Sequence, residues 1–404
     1  MRKIITIISI VLIVLYLSLS LLWYKKPTKQ NTVTFASWGS QSELRILQEI
    51  ISDFEKESNI NVNFLHIPQN YFQKLHLLYA SNKEPDIIFI NNQNIPLYIE
   101  AGLLEDLNEY FPNAENTFNN EAINCFKKEE KLYAIPRDIS NLVLYYNNDI
   151  FKNKNIKIPE KINNLKQLKE LSLEIKKTNI WALNYEEDPL FWLYYLAANG
   201  GGVISDNKYE LIINKEESLS ALNFYSDLIN KYHLIPTKAE VGSMTSAQMF
   251  MNGKLAMYLG GRWMFPIFSE TITFNWDTIP FPSDSQNKLY IDSSGWAISK
   301  NSKKKEESAK LIAFLSSKKS SIKFTESGLI VPARKDTMET FLKKDKKNKA
   351  FIKMLNNAKP TPVNKNYRKI NDILKEKSQT IFTQNTKAQN VFNNKTIKEL
   401  ESLL

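Results

Sequence analysis

An α/β protein built in two lobes is what this sequence predicts, and three observations carry the expectation. From residue 31 short β-rich runs alternate with helical patterns, and beyond residue 140 a second alternation of the same kind begins. The chain is also long enough, at 404 residues and 43% hydrophobic, to bury two cores. Aromatic residues run throughout, which excludes a disordered polymer.

The chain opens with Arg2 and Lys3 ahead of an uncharged apolar run from Ile4 to Leu22, followed by the charged, Pro-containing stretch "WYKKPTKQ". That is the pattern of an export signal. Its length is close to the roughly 20 residues that span a bilayer, and Ser18 and Ser20 offer only a weak cleavage site. Residues 1–30 are therefore read as a signal peptide or membrane anchor with a short linker. No cysteine follows the run, which excludes a lipid-anchored lipoprotein, and no second spanning segment occurs, so the remainder is expected to fold outside the cytoplasm. The single cysteine, Cys125, has no partner for an internal disulfide and reads as a buried small hydrophobe.

The first alternation starts with "VTFAS" at 33–37. Ser40 and Glu43 follow at capping-box spacing, ahead of a helical face made of Leu44, Leu47, Ile51 and Phe54. "VNFL", "YFQKLHLLYAS" and "PDIIFI" continue as strand, helix and strand, the signature of a parallel sheet covered by helices. Ligands of such sheets bind beyond the carboxyl ends of the strands. Those ends read "SWGSQ" and "NNQN", which makes Trp38, Gln41, Asn91, Asn92 and Gln93 candidates for ligand contact. Next, "KLYAIPRDISNLVLYYNNDIF" supplies two extended runs joined by a polar link from Arg137 to Asn141. The second alternation has a helix near 164–177, a strand "IWALN", a helix "PLFWLYYLAAN", a triple glycine and a long helix over about 215–231. The helix "TSAQMFMN" then ends at Gly253, a plausible C′ residue, and "KLAMYL" returns as a strand. The chain is expected to cross between lobes more than once.

The order "PDIIFI…AGLLEDL", "KLYAIP…LVLYYNNDIF", "ANGGG", "MFMNGKLAMYLGGRW", "SSGWAIS" and "GLIVPAR" resembles the extracytoplasmic solute-binding proteins of ABC importers, in the sugar-binding branch similar to maltose-binding protein. The resemblance covers roughly residues 32–345. It implies the type II periplasmic-binding-protein fold, two α/β lobes joined by a hinge with three chain crossings near Arg137 to Asn141, Ile291 to Ser293 and Val331 to Arg334. The N-terminal lobe would then comprise 31–138 and 292–333, and the C-terminal lobe 139–291 and 334–404. Two departures stand out: there is no lipobox cysteine, and asparagine or glutamine occupies 91–94 where relatives often carry aspartate.

The residues themselves also argue for a cleft. Only 11 glycines occur, where average usage of about 7% would give about 28. Three of them, Gly39, Gly261 and Gly295, adjoin or nearly adjoin tryptophans in "SWGS", "GGRW" and "SGWA". An indole offers a flat face to the C–H face of a sugar ring and an N–H to a hydroxyl. The glycines are expected to turn the chain at the end of the "KLAMYL" strand so that Trp263, beyond Gly261, faces a ligand. Trp38, Trp296 and Trp192 are further candidates, with Asp188 as a hydroxyl acceptor just ahead of Trp192; Trp181 and Trp276 read as core. Of six arginines, Arg137, Arg262 and Arg334 fall in predicted loops near the crossings, where a guanidinium can fork onto hydroxyls or an acidic group. Asp138 is the preferred carboxylate for hydroxyl recognition, against a plain loop-cap role.

Other chemistries find no support. The net charge of +10 is concentrated in residues 301–404, which hold 24 basic and 10 acidic groups, nearly all of the basic ones lysines on helical patterns without aromatic interleaving. That is a set of solvated faces rather than a nucleic-acid surface. His66, His76 and His233 have no metal-ligand spacing, no G-x-S-x-G nucleophile occurs, and the triple glycine lacks a following G-K-[ST]. Carboxylate runs such as Glu186 to Asp188 can be drawn as a glycosidase pair, but 43 acidic residues make chance pairs common. Paired tyrosines at 145–146 and 194–195 suit a ferric site only with a histidine and carboxylate placed beside them. The expectation is a monomeric binding protein, with no catalytic residues, metal or cofactor, that hands a sugar or oligosaccharide to an ABC importer permease. The alternatives are a non-sugar solute (polyol, glycerol phosphodiester or peptide) or a glycoside-processing enzyme.

Overall fold

The computed structural model describes residues 31–177, 180–208, 210–283 and 286–404; the proposed signal or anchor at 1–30 lies outside the described residues. Among the described residues no helix is long and apolar enough to cross a membrane.

Strands β1 (Thr32–Ser37), β2 (Asn61–His66) and β3 (Ile87–Asn91) pair in parallel, β1 in the middle. The helix Gln41–Ser58 between the first two begins with the expected capping box, in which Ser40 and Glu43 exchange side-chain and backbone hydrogen bonds. Leu47, Ile50, Ile51 and Phe54 form its buried face. A short hairpin of β4 (Lys127–Lys128) and β5 (Lys131–Leu132) then leads to β6 (Ile135–Ser140).

The chain leaves this first sheet at Asn141. β7 (Leu142–Asn147) is the centre of a second, three-stranded antiparallel sheet flanked by β8 (Met257–Gly261) and β9 (Trp276–Pro280). The expected strand "IWALN" is reduced to one parallel bridge, Trp181 to Leu255, because its backbone bonds toward β8 stop at Ala182 and Asn184 meets β8 at Leu259 through its side chain instead.

The long β10 (Leu289–Ile298) brings the chain back, pairing antiparallel with β6 and β3. β11 (Val331–Pro332) adds to β6, and β12 (Ala358–Pro360) lies parallel to the first three residues of β10. The first sheet is thus mixed, in the order β11, β6, β10, β3, β1, β2. Its parallel half is the local β-α-β run; its antiparallel half is made by strands that arrive from, or depart for, the other lobe. The fold is of the two-lobed α/β type with three crossings, and the chain passes from the first sheet to the second at Asn141.

One second-lobe carboxylate carries an unusual burden. Glu186 is largely buried; desolvation pushes its pKa up to about 7, against hydrogen bonds from Asn184 and Ser246 and with help from the charges of Asp188 and Glu187. A pKa raised on folding contributes stability that is present below the ordinary value near 4.5 and is lost as pH rises through about 7. Glu186→Gln is therefore expected to melt with the parent at about pH 4 and above it at about pH 8. Equal melting-point differences at both pH values would remove this account.

Candidate functional site: the cleft between the lobes

Where the crossings meet, the two lobes enclose a cavity of about 290 Å³. The first lobe supplies Trp38, Glu43, Phe89, Asn91, Gln93, Arg137 and Asp138; the second supplies Leu190, Leu193, Tyr194, Arg262 and Trp263. The crossing segments contribute Ile139 to Leu142 and Tyr290 to Ser294, with Leu329, Ile330, Thr361 and Tyr367 completing the wall. Walls that are mostly apolar with a few directed polar groups are the usual make-up of a small-molecule site.

Two indoles are held half in solvent, Trp38 at 46% and Trp263 at 39% exposure, one from each lobe. Trp38 follows β1 and rests edge-on against Phe89, 5.8 Å between ring centroids. Trp263 sits in a single 3-10 turn, Arg262–Met264, between β8 and the helix Phe265–Thr271. The glycines before it do not turn the chain, contrary to expectation: Gly261 has φ −92° and ψ 175°, ordinary extended backbone. Their role is space. A Cβ at Gly261 would stand 1.9 Å from Cζ3 of Trp263, so the indole lies across the place a side chain would fill. The Tyr145 hydroxyl donates to the Gly261 carbonyl at 2.8 Å, pinning the strand end.

Arg137 and Asp138 line the cavity but are committed to each other. Nε and Nη2 of Arg137 donate to Oδ2 of Asp138 at 2.9 and 2.6 Å, and Nη1 donates to Glu43 at 3.2 Å. Asp138 also accepts from the Ser294 backbone N–H at 3.0 Å and the Ser294 hydroxyl at 2.7 Å. The guanidinium lies over Phe89, Trp296 and Phe324, 5.1 to 5.7 Å from the ring centroids. Burial works against its charge, yet the Asp138 and Glu43 carboxylates outweigh that and raise its pKa above the usual arginine value. Asp138 is consequently a structural anchor rather than the free hydroxyl acceptor the sequence suggested.

The carboxylate that fits that part is Asp292, in the second crossing, which sequence reasoning passed over. It is held by neutral donors: Asn92 Nδ2 gives to Oδ1 at 2.7 Å and Gln93 Nε2 to Oδ2 at 2.8 Å. Burial raises its pKa, with the hydrogen bonds of Asn92, Thr361 and Gln93 opposing and the charge of Asp188 adding to the rise. The fully buried Asn92 therefore reaches the site through Asp292, while Gln93 both holds that carboxylate and lines the cavity itself. Asn91 lines the cavity while its Oδ1 accepts from Asn94 at 2.8 and 3.1 Å.

The remaining candidates lie elsewhere. Gln41 is exposed in the first turn of its helix. Trp192 is fully buried against Phe382, because Leu190, Leu193 and Tyr194, three and four residues apart, take the cleft-facing stripe and leave position 192 on the opposite face. Asp188 is exposed and caps that helix, accepting from the Leu190 N–H at 2.9 Å. Trp296 is fully buried between Phe35 and Phe89, as an inward position of β10 must be. Arg334 forks onto Asp336 at 2.8 and 2.9 Å and donates to the Ser316 carbonyl, away from the cavity. Spacing within the "PLFWLYYLAA" helix was the available signal for Leu190, Leu193 and Tyr194; a charged residue inside the apolar strand "LYIDSSGWAI" was the signal for Asp292.

Two lobes around a cleft of this make-up define a solute-binding protein, and residues 38–321 match the family of bacterial extracellular solute-binding proteins, to which the chain belongs. The chain is 26% identical over 336 residues to the maltodextrin-binding protein MdxE of Bacillus subtilis, covering 78% of this chain and 77% of that protein. It is 25% identical over 328 residues to a multiple sugar-binding protein of Streptococcus mutans, 74% of each. Among solved structures, an ABC substrate-binding protein of Listeria monocytogenes in complex with cycloalternan superposes with a TM-score of 0.81 at 24% identity, covering 92% of this chain and 97% of that one. A maltose-bound protein of Thermotoga maritima gives 0.78 at 21% identity, covering 92% and 100%.

Trp263→Ala is expected to leave the melting point nearly unchanged, since the ring is half exposed, while weakening binding of whichever sugar the parent takes. Loss of one stacked ring, by analogy with base-on-aromatic stacking, costs roughly 1 to 3 kcal/mol, or about 5-fold to 150-fold in Kd. Gly261→Ala should also weaken binding, because its methyl group displaces the indole. A large fall in melting point of Trp263→Ala with binding intact would show the ring to be structural.

Proposed function

We propose that this protein captures a sugar or oligosaccharide between its lobes and delivers it to the permease of an ABC importer. The observation that carries the reading is the pair of half-exposed indoles, Trp38 and Trp263, contributed by opposite lobes to one cavity that also holds the Asp292 carboxylate. Flat apolar faces suit the C–H faces of sugar rings, and a carboxylate in an apolar wall suits hydroxyl donors. Relatives named for maltodextrin and multiple sugars support the same ligand class. Capture works by closure: contacts from both lobes add up only in the closed form, so the ligand stabilises it by its differential affinity. In this reading the lobes comprise 31–138 with 292–333 and 139–291 with 334–404, the protein acts as a monomer, and it is not an enzyme.

Calorimetric titration with maltotriose, maltotetraose and galactooligosaccharides, followed by chromatography of the sugars, tests this. Saturable binding with the sugars recovered intact is the expected result. Cleavage products would move the protein to the glycoside-processing enzymes, and no binding across the panel would favour a non-sugar solute.

The segment 1–30 is proposed to export the chain and, given its length and poor cleavage site, to tether a sizeable fraction to the membrane. After expression with the native N-terminus, that fraction should resist carbonate extraction. Carbonate-washed membranes free of the protein, with a mature N-terminus at about residue 21 or later, would show the segment to be a cleaved signal.

A further inference from the structure

Two arginines line the cleft, and their circumstances are opposite. Arg137 has carboxylate partners for all three of its nitrogens. Arg262, at the end of β8, is only 3% exposed, and its Nε and Nη1 meet no acceptor. No carboxylate among the described residues forms an ion pair with it; Asp345, the acidic group it senses, is engaged by the Lys347 backbone N–H at 2.9 Å and its ammonium at 3.4 Å. Lys344, the other cation whose field it meets, is exposed outside the cavity wall and donates its ammonium to the Glu326 carbonyl.

The guanidinium is positioned firmly. It lies 3.4 Å from the ring centroid of Phe265, with Phe341 and Phe351 at 5.5 and 5.8 Å, all from the second lobe. Its terminal nitrogens reach to the first lobe at Gly328, where a Cβ would lie 3.8 and 3.9 Å from them. Burial lowers its pKa to about 10, against the pull of Tyr145 and Asp345, so it keeps its charge at neutral pH. Ring faces offset part of the desolvation of a guanidinium, but they leave its in-plane N–H donors unsatisfied. A buried cation with open donors is complementary to an anion, and charge-assisted bonds to an anion exceed those to neutral hydroxyls.

We propose that the ligand of this cleft carries an acidic group, a carboxylate or phosphate borne on a sugar, and that Arg262 receives it. This rests on the sugar-binding reading and names the chemical class within it. The two ends of the recognised molecule then differ: hydroxyls face Asp292 and its amides, and the acid faces Arg262.

Matched pairs separate the possibilities: galactobiose against digalacturonate, and galactose against galactose 6-phosphate, titrated by calorimetry at low ionic strength. In at least one pair the acidic member is expected to bind about 10-fold to 150-fold tighter than its neutral parent. That advantage should shrink as salt is added, and Arg262→Met should bring the ratio near one. The pair showing the preference tells carboxylate from phosphate. Neutral sugars binding as tightly as both acidic ones would overturn this inference and leave sugar capture standing. Absence of binding by all four, and by the neutral oligosaccharides above, would overturn both. The ratio in the parent protein decides the matter even if the Arg262 variant does not fold.

Discussion

The buried pair of sequence neighbours Arg137 and Asp138 is the contact around which the cleft is arranged. Asp138 takes two donors from Arg137 and two from Ser294, so it binds β6 to β10 at the place where their register shifts between Ser294 and Gly295. Arg137 in turn reaches Glu43, whose other oxygen caps the first long helix. One carboxylate thereby links a helix start, two strands and the first crossing. Removing one partner of such a pair strands a buried charge, at a cost of about 3 to 5 kcal/mol. The shape of the first-lobe wall depends on that cluster staying closed on itself.

Around this anchor, polar groups in the crossings divide into those that hold the lobes' joints and those left available. The Tyr194 hydroxyl accepts from the Leu142 N–H at 2.8 Å and donates to the Tyr290 carbonyl at 2.7 Å, tying the first crossing to the second. Asn141 donates to the Phe351 carbonyl at 2.8 Å. Asp292 and Arg262 are the charged groups in the cavity wall without a partner of opposite charge among the described residues, one cradled by amides and the other by rings.

Much of the architecture was legible beforehand because it is local. Capping-box spacing located the first long helix, and β-rich runs located the three parallel strands. The three crossings came from the order of motifs, a family resemblance rather than a local signal. What escaped was decided by partners distant in sequence. "IWALN" had the composition of a strand but shares backbone bonds with the approach to β8 only over Trp181 and Ala182, Asn184 reaching Leu259 through its side chain, and the antiparallel half of the first sheet depends on β10 returning from the other lobe. In the site, residue type was a good guide and direction a poor one. Trp263 and Trp38 do reach the cavity, whereas Trp192 and Trp296, of the same chemistry, point inward for reasons of helical and strand phase. Asp138 was singled out and Asp292 passed over, since only tertiary structure shows which carboxylate has a cation beside it.

The uneven sheltering of the indoles has an optical consequence. Trp192 and Trp296 are sealed from solvent while Trp38 and Trp263 stand about half open in the cavity wall. Among the described residues the emission therefore combines blue, quencher-resistant rings belonging to the cores with red, quencher-accessible rings belonging to the cleft, the half-buried Trp181 and Trp276 lying between them. A dissolved quencher such as acrylamide interrogates mainly the second population. The protein thus carries its own occupancy gauge, readable without a label, in which shielding of the red component reports filling of the cavity and loss of the blue component reports unfolding of a lobe.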